Sequence, residues 1–175
     1  MNNTKTIKVI FADDTELEIL TVDNILDHYD IDQVKTLRPY KRIKSVIIPD
    51  GIEIIDRWTF KSMYTLQSVH LPSTIKEIRL EAFAGCHSLT SINFPDCLQV
   101  IGHMAFARTS IEHIILSEKC KLEGNPFKYC EANVISIGDK SFKKIPGGNP
   151  NYMGPYPTKQ NILNHSNAGD YKTGD

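Results

Sequence analysis

Residues 72–94 read PSTIKEIRLEAFAGCHSLTSINF, and the stretches on either side repeat them in phase. Residues 49–71, PDGIEIIDRWTFKSMYTLQSVHL, put Pro49, Ile52, Ile55, Phe60 and Leu66 where Pro72, Ile75, Ile78, Phe83 and Leu89 stand. Residues 95–116, PDCLQVIGHMAFARTSIEHIIL, supply Pro95, Leu98, Ile101, Phe106 and Ile111, in 22 residues against 23 for the other two. A period of about 20 to 30 residues marks a solenoid. A unit this short cannot bury its own apolar face and must stack on its neighbours. The middle of the chain therefore reads as a one-dimensional scaffold, an architecture that more often binds than catalyses.

Each column has a chemical reason. The alternations Val46-x-Ile48, Val69-x-Leu71, Ile92-x-Phe94 and Ile114-x-Leu116 predict short strands with one face inward. At a fixed period such strands stack as a parallel sheet. The proline after each strand has no N–H to donate and stops the ladder. Ala82-Phe83 and Ala105-Phe106 each open a stretch that predicts a helical turn or two, the first with apolar residues at intervals of three, Phe83, Cys86 and Leu89. The phenylalanines fill the space between the two walls of the coil. A degenerate fourth unit runs through Ser117, Cys120, Leu122, Phe127, Ile135 and Ile137, and a partial one precedes the first proline at Leu37, Ile43, Val46 and Ile48. Four to five units result, over residues 34–138.

These columns resemble the BspA-like leucine-rich repeats, with a phrase close to Ile-Pro-x-x-Val-x-x-Ile-Gly-x-x-Ala-Phe-x-x-Cys-x-x-Leu-x-x-Ile. The third unit matches best, through Phe94-Pro95, Leu98, Ile101-Gly102 and Ala105-Phe106, and the second adds Cys86 and Leu89. The first unit departs, with Asp56 in place of the glycine and Thr59 in place of the alanine. The resemblance implies a recognition module and fixes no partner. The expected fold class is α/β: a leucine-rich-repeat solenoid of short parallel strands (37–145), an N-terminal hairpin and helix cap (1–36), and an irregular Gly/Pro-rich, partly disordered C-terminal tail (146–175).

Composition sets the bounds. A formal charge of −1 gives no drive toward nucleic acid or an anionic membrane. No stretch approaches the roughly 18 apolar residues of a membrane span. Residues 1–5 lead straight into polar–apolar alternation without a secretory apolar segment, so a cytoplasmic location is expected, although members of the family are often on cell surfaces. Cys86, Cys120 and Cys130 fall in core columns and are expected as free, buried thiols; Cys97, in the turn after Pro95, is the most exposed. Cysteine pairs at zinc-ligand spacing are lacking, and neither a metal nor a cofactor is expected.

Open ends of a stacked coil need caps. Residues 5–21 alternate about the polar Ala12-Asp13-Asp14-Thr15 and predict a hairpin. Asp23 is expected to cap a short helix carrying Ile25, Leu26 and Tyr29, and Asp32 a second carrying Val34 and Leu37. Between Lys8 and Lys35 eight acids stand without a lysine or arginine: Asp13, Asp14, Glu16, Glu18, Asp23, Asp27, Asp30 and Asp32. They are read either as a solvated cap serving helix N-termini or as an acidic surface, through Asp23, Asp27, Asp30 and Asp32, for a basic partner. At the other end Ser141, Phe142 and Ile145 are expected to finish the last unit, and Tyr152 and Tyr156 to pack over it.

Catalytic motifs are absent. Six histidines form no His-x-x-x-His, and no Gly-x-Ser-x-Gly or phosphate-binding glycine loop occurs. No enzyme and no small-molecule substrate are expected. Binding is assigned to the outward strand columns, Ile47, His70, Asn93, Ile115 and Ser136 in one and Ser45, Ser68, Ser91, His113 and Val134 in the other. Ile47 and Ile115 are apolar where the fold does not require it, either as part of a contact surface or because strands favour isoleucine. The expected function is non-enzymatic recognition of a protein through the strand face: Ile47, His70, Asn93, His113 and Ile115. Direct nucleic-acid binding and membrane insertion are not expected. The alternatives are an intracellular inhibitor or adaptor, of the kind a mobile element carries, acting through the acidic cap, and an assembly component self-associating through a solenoid end or the tail.

Overall fold

The computed structural model describes residues 4–21, 23–37, 42–130, 132, 134–138, 140–144 and 171–173. The N-terminal hairpin is β1 (Lys5–Phe11) and β2 (Glu16–Thr21), antiparallel about a turn closed by Asp14 at φ 60°. Ile7, Val9, Phe11 and Ile19 point into the core, as the alternation predicts. After it come β3 (Ile25–Leu26) and one helix, α1 (His28–Leu37).

The sequence expectation of two helices capped by Asp23 and Asp32 is corrected here. Ile25–Leu26 is a strand, because Leu26 is the first rung of an apolar column that continues through Ile55. The helix is capped instead by Asp27, whose Oδ1 accepts from the backbone N–H of Tyr29 (2.8 Å) and of Asp30 (3.1 Å). Asp30 returns the bond, its Oδ2 accepting from the Asp27 N–H at 3.2 Å, so the pair forms a reciprocal capping box. Asp32 lies inside α1.

Each following coil carries two strands where the sequence suggested one. They are β4 (Ile43–Ile47) and β5 (Ile54–Ile55), β6 (Ser68–His70) and β7 (Glu77–Ile78), β8 (Ser91–Ile92) and β9 (Val100–Ile101), and β10 (His113–Leu116) and β11 (Lys121–Leu122). The first strands of the coils carry on the hairpin sheet, in the order β2-β1-β4-β6-β8; the second strands make another parallel sheet, β11-β9-β7-β5-β3. Between the two strands of a coil the proline column makes a tight turn, with the N–H of Ile52, Ile75 and Leu98 bonded to the carbonyl of Pro49, Pro72 and Pro95. β12 (Val134–Ile137), β13 (Lys140–Lys144) and β14 (Tyr171–Thr173) finish the chain. β12 runs parallel to β10, and β13 turns back antiparallel on β12. Ser141 and Phe142 therefore lie in a returning strand rather than completing a coil. Of the Gly/Pro-rich tail only β14 is described, antiparallel to β13; Ile145, Tyr152 and Tyr156 lie outside the described residues.

The helical turns expected after each phenylalanine are turns of another kind. The N–H groups of Phe60, Phe83 and Phe106 bond across to the carbonyls of Ala82, Ala105 and Pro126 in the next coil, not back along a helix. Ser62, Gly85, Arg108 and Tyr129 all take positive φ, between 59 and 76°, and interrupt any helical path. This inter-coil bonding holds the phenylalanines in one line. Phe60, Phe83, Phe106 and Phe127 stack face to face with centroids 5.0, 5.1 and 5.6 Å apart and planes within 14°. They sit in one continuous core with the aliphatic columns, and Cys86, Cys120 and Cys130 are buried in it as free thiols. Burial pushes the Cys86 thiol up to about 12, and its Sγ lies 3.1 Å from the Phe60 carbonyl.

Phe83 has a ring on both sides and no exposed surface. Phe83→Ala should therefore cost about 3–5 kcal/mol through lost transfer energy and a residual cavity. Urea unfolding of the variant checks this against Tyr64→Ala, an exposed control expected to stay within about 0.5 kcal/mol. A loss below about 1 kcal/mol at Phe83 would show that the stack is not the core.

Candidate functional site

The outward column of the first sheet starts as expected. Ile47 pairs with His70, and Ser45 with Ser68, whose hydroxyls share a 2.7 Å hydrogen bond. Ile47 is 38% exposed and His70 is exposed. The ladder then stops. Ser68 and Val69 pair with Ser91 and Ile92, but β8 has no strand beyond it; β10 begins a separate sheet, β10-β12-β13-β14. The continuous five-rung ladder expected from the period is thus corrected to two ladders with a seam between the third and fourth coils.

Asn93 stands at the seam. Its Oδ1 accepts from the Leu71 N–H at 2.7 Å and its Nδ2 donates to the Leu71 carbonyl at 2.8 Å. One coil earlier the corresponding N–H, that of Ile48, bonds to the backbone carbonyl of His70. In the third coil a side-chain amide takes over a ladder position, so β8 ends at Ile92. Asn93, assigned to partner contact from sequence, has its amide engaged with Leu71 of the preceding coil, at the edge of the seam. The third unit is also the short one.

A groove of about 860 Å³ opens along this seam. Ile92 and Phe94, both half-buried, lie in its apolar part, and Phe94 meets Phe106 edge-on at 5.4 Å, tying the groove to the core. His113 and Ile115 come from β10, and Ile115 is 68% exposed. Asp96, Glu118 and Lys119 supply charge. Gly138, at φ 56°, closes the far side; a Cβ there would come within 2.3 Å of the Glu118 side chain. Of the sequence-assigned residues, the seam gathers Asn93, His113 and Ile115, while Ile47 and His70 stand together on the intact ladder. Phe94, Asp96 and Glu118 were missed; the shortened third unit was the signal that pointed to them.

The second sheet has a different surface. Its carboxylates are neutralised, between coils by Glu53 with Lys76 (2.9 Å) and Asp56 with Arg79 (3.0 Å), and within a coil by Glu77 with Arg79 (2.9 Å) and Glu123 with Lys121 (3.0 Å). Partial burial pushes the Asp56 carboxyl up, but bonds from the Arg57 backbone N–H and the Arg79 guanidinium outweigh it and hold it below its ordinary value. The departures of the first unit find their use here. Asp56 supplies the ion pair, and buried Thr59 donates to the carbonyls of Leu26 (3.2 Å) and Asp56 (2.8 Å).

The acidic residues of the cap are partly engaged. Asp27 and Asp30 form the capping box, and Asp23 accepts the Lys5 ammonium through its backbone carbonyl at 2.9 Å. Among the described residues no group of three or more His, Cys, Asp or Glu is arranged to hold a metal, and no helix is long and apolar enough to cross a membrane.

Stacked coils with paired ladders and an apolar inner column define a repeat solenoid. Residues 38–148 match the BspA type leucine rich repeat region, in six copies, and the chain belongs to that family, whose repeats generally serve as non-enzymatic protein-interaction modules. Two crystal structures match part of this chain. A leucine-rich repeat protein from Bacteroides ovatus ATCC 8483 superposes with a TM-score of 0.50 at 21% identity, over 70% of this chain and 31% of that one. The pneumococcal vaccine antigen PcpA gives 0.42 at 22% identity, over 58% of this chain and 34% of that one. This chain therefore spans about a third of the length of each. No curated protein matches.

Burial pushes the Asp30 carboxyl up, and repulsion from Asp27 and Asp23 adds to it, together outweighing the bonds from the Asp27 N–H and the Thr21 hydroxyl that favour the charged form. A raised folded pKa means the folded state holds its proton more tightly than the unfolded chain. That contribution to stability is present in full below 3.8 and is lost as pH rises through the folded pKa. Asp30→Asn keeps an acceptor for the Asp27 N–H and removes the charge, so its stability relative to wild type should rise with pH across that window. Asp27→Ala should cost about 1 kcal/mol at neutral pH through loss of the cap. Urea titrations of both variants across pH check this; a pH-independent difference for Asp30→Asn contradicts it.

Proposed function

We propose that this chain binds a partner protein through the outer face of its first-strand ladders, from Ile47 and His70 to His113 and Ile115. The observation that carries the reading is the exposure of Ile115, 68% on a strand whose inward neighbours Ile114 and Leu116 are buried. An aliphatic side chain left in water at a repeat position is what an interface anchor looks like before its partner arrives. The ion-paired second sheet offers fewer uncompensated groups, which favours the first sheet as the docking side. Most of the interface energy is expected in a few central anchors, each worth about 1–2 kcal/mol or more.

The test is capture from a lysate of the source cell with the immobilised full chain. Ile115→Asp combined with His70→Glu should reduce recovery of the captured protein at least about tenfold, the equivalent of 1.4 kcal/mol. Raising the salt from about 0.15 to 0.5 M should change recovery little, since the contact is largely apolar. Retention by that variant, with loss on Asp23→Asn plus Asp32→Asn and steep salt dependence, would move the site to the acidic cap.

A further inference from the structure

We infer that the seam groove between β8 and β10 accepts an extended segment of the partner protein, one that carries a lysine or arginine beside an aliphatic residue. This inference rests on the strand-face reading above and narrows it to one subsite and one ligand chemistry.

Three features converge there. The groove lies between two strands whose ladders do not continue into each other, although the phenylalanine stack and the second sheet run through the same coils unbroken. A strand edge released from its ladder is a natural template for a peptide in extended conformation. The apolar part of the groove, Ile92 and Phe94 with exposed Ile115, matches an aliphatic side chain in size and chemistry. Charge then selects among aliphatic peptides. Among the described residues Asp96 and Glu118 have neither an ion pair nor a side-chain hydrogen bond, in contrast to Glu53, Asp56, Glu77 and Glu123 on the second sheet. Lys119 is the one ammonium among the described lining residues, so carboxylates exceed it and a cation on the occupant completes the balance. Alternate residues of an extended chain point to opposite sides, which allows a cation and an aliphatic group two positions apart to reach the same wall.

The experiment is selection of a phage-displayed library of random dodecapeptides on the full-length protein. Anisotropy of the enriched peptides, synthesised with a fluorescent label, follows. The expected peptides carry Lys or Arg within two positions of Ile, Leu or Val. They should lose affinity at least about tenfold against Asp96→Asn plus Glu118→Gln, and against Ile115→Asp, while Ile47→Asp leaves them unchanged. The first variant alters only exposed polar groups, and an unchanged melting temperature verifies its fold. Failure to enrich any peptide, or peptides without a cation, overturns the inference. Peptides that depend on Ile47 and His70 but not on Asp96 and Glu118 overturn the groove and leave the strand-face reading standing. Peptides indifferent to every one of these substitutions overturn both. Light scattering that shows dimers in wild type and monomers in the Asp96→Asn plus Glu118→Gln variant would give the groove to a second copy, and would also overturn the assignment.

Discussion

Face-to-face stacking of one phenylalanine per coil is the contact on which the remaining structure depends. The rings sit 5.0–5.6 Å apart, close to the roughly 4.8 Å between neighbouring strands, so rings and ladders advance together. A single coil has no second ring to cover its own and no second strand for its backbone. Both needs are met only by the next coil, which is why stability grows along the axis. The backbone bonds from Phe60, Phe83 and Phe106 into the following coil serve the same end, and they explain why these segments are turns and not helices.

The ends follow from the same requirement. At the N-terminus β1 runs antiparallel along β4 and adds two strands to the first sheet, while β3 adds a rung to the second. At the C-terminus β13 turns back on β12. Neither end leaves the phenylalanine line exposed: Phe60 is fully buried and Phe127 is 5% exposed.

The period made the core columns legible before any coordinates, because every inward residue recurs at the same offset from its proline. The hairpin was legible for a similar reason, in the alternation of Ile7, Val9 and Phe11. Two-residue strands were not. Ile25–Leu26 and Ile54–Ile55 are too short to show any periodicity, and only pairing with the neighbouring coil makes them strands. Asn93 was legible as an outward residue, but the diversion of its amide into the ladder is a contact between coils that no single-unit pattern encodes. The seam and its charged residues therefore stayed hidden, although the one missing residue of the third unit marked their place. The acids of the cap were legible as capping groups; their partition between Asp27, Asp30 and the neighbouring residues was set by where α1 begins.

A broken ladder beside an unbroken core is the central feature of this molecule, for it opens a groove on the strand face without dividing the domain. Urea unfolding followed simultaneously by Trp58 fluorescence and by far-ultraviolet circular dichroism tests it most directly. Trp58, the single tryptophan, reports on the first coil, and the dichroism reports on every strand on both sides of the seam. Coincident midpoints and slopes are expected, because the Phe106–Phe127 contact and the β9–β11 pairing carry cooperativity across the seam. A Trp58 transition separated from the dichroism transition would contradict the continuous core and make the seam a boundary between two independently folding parts.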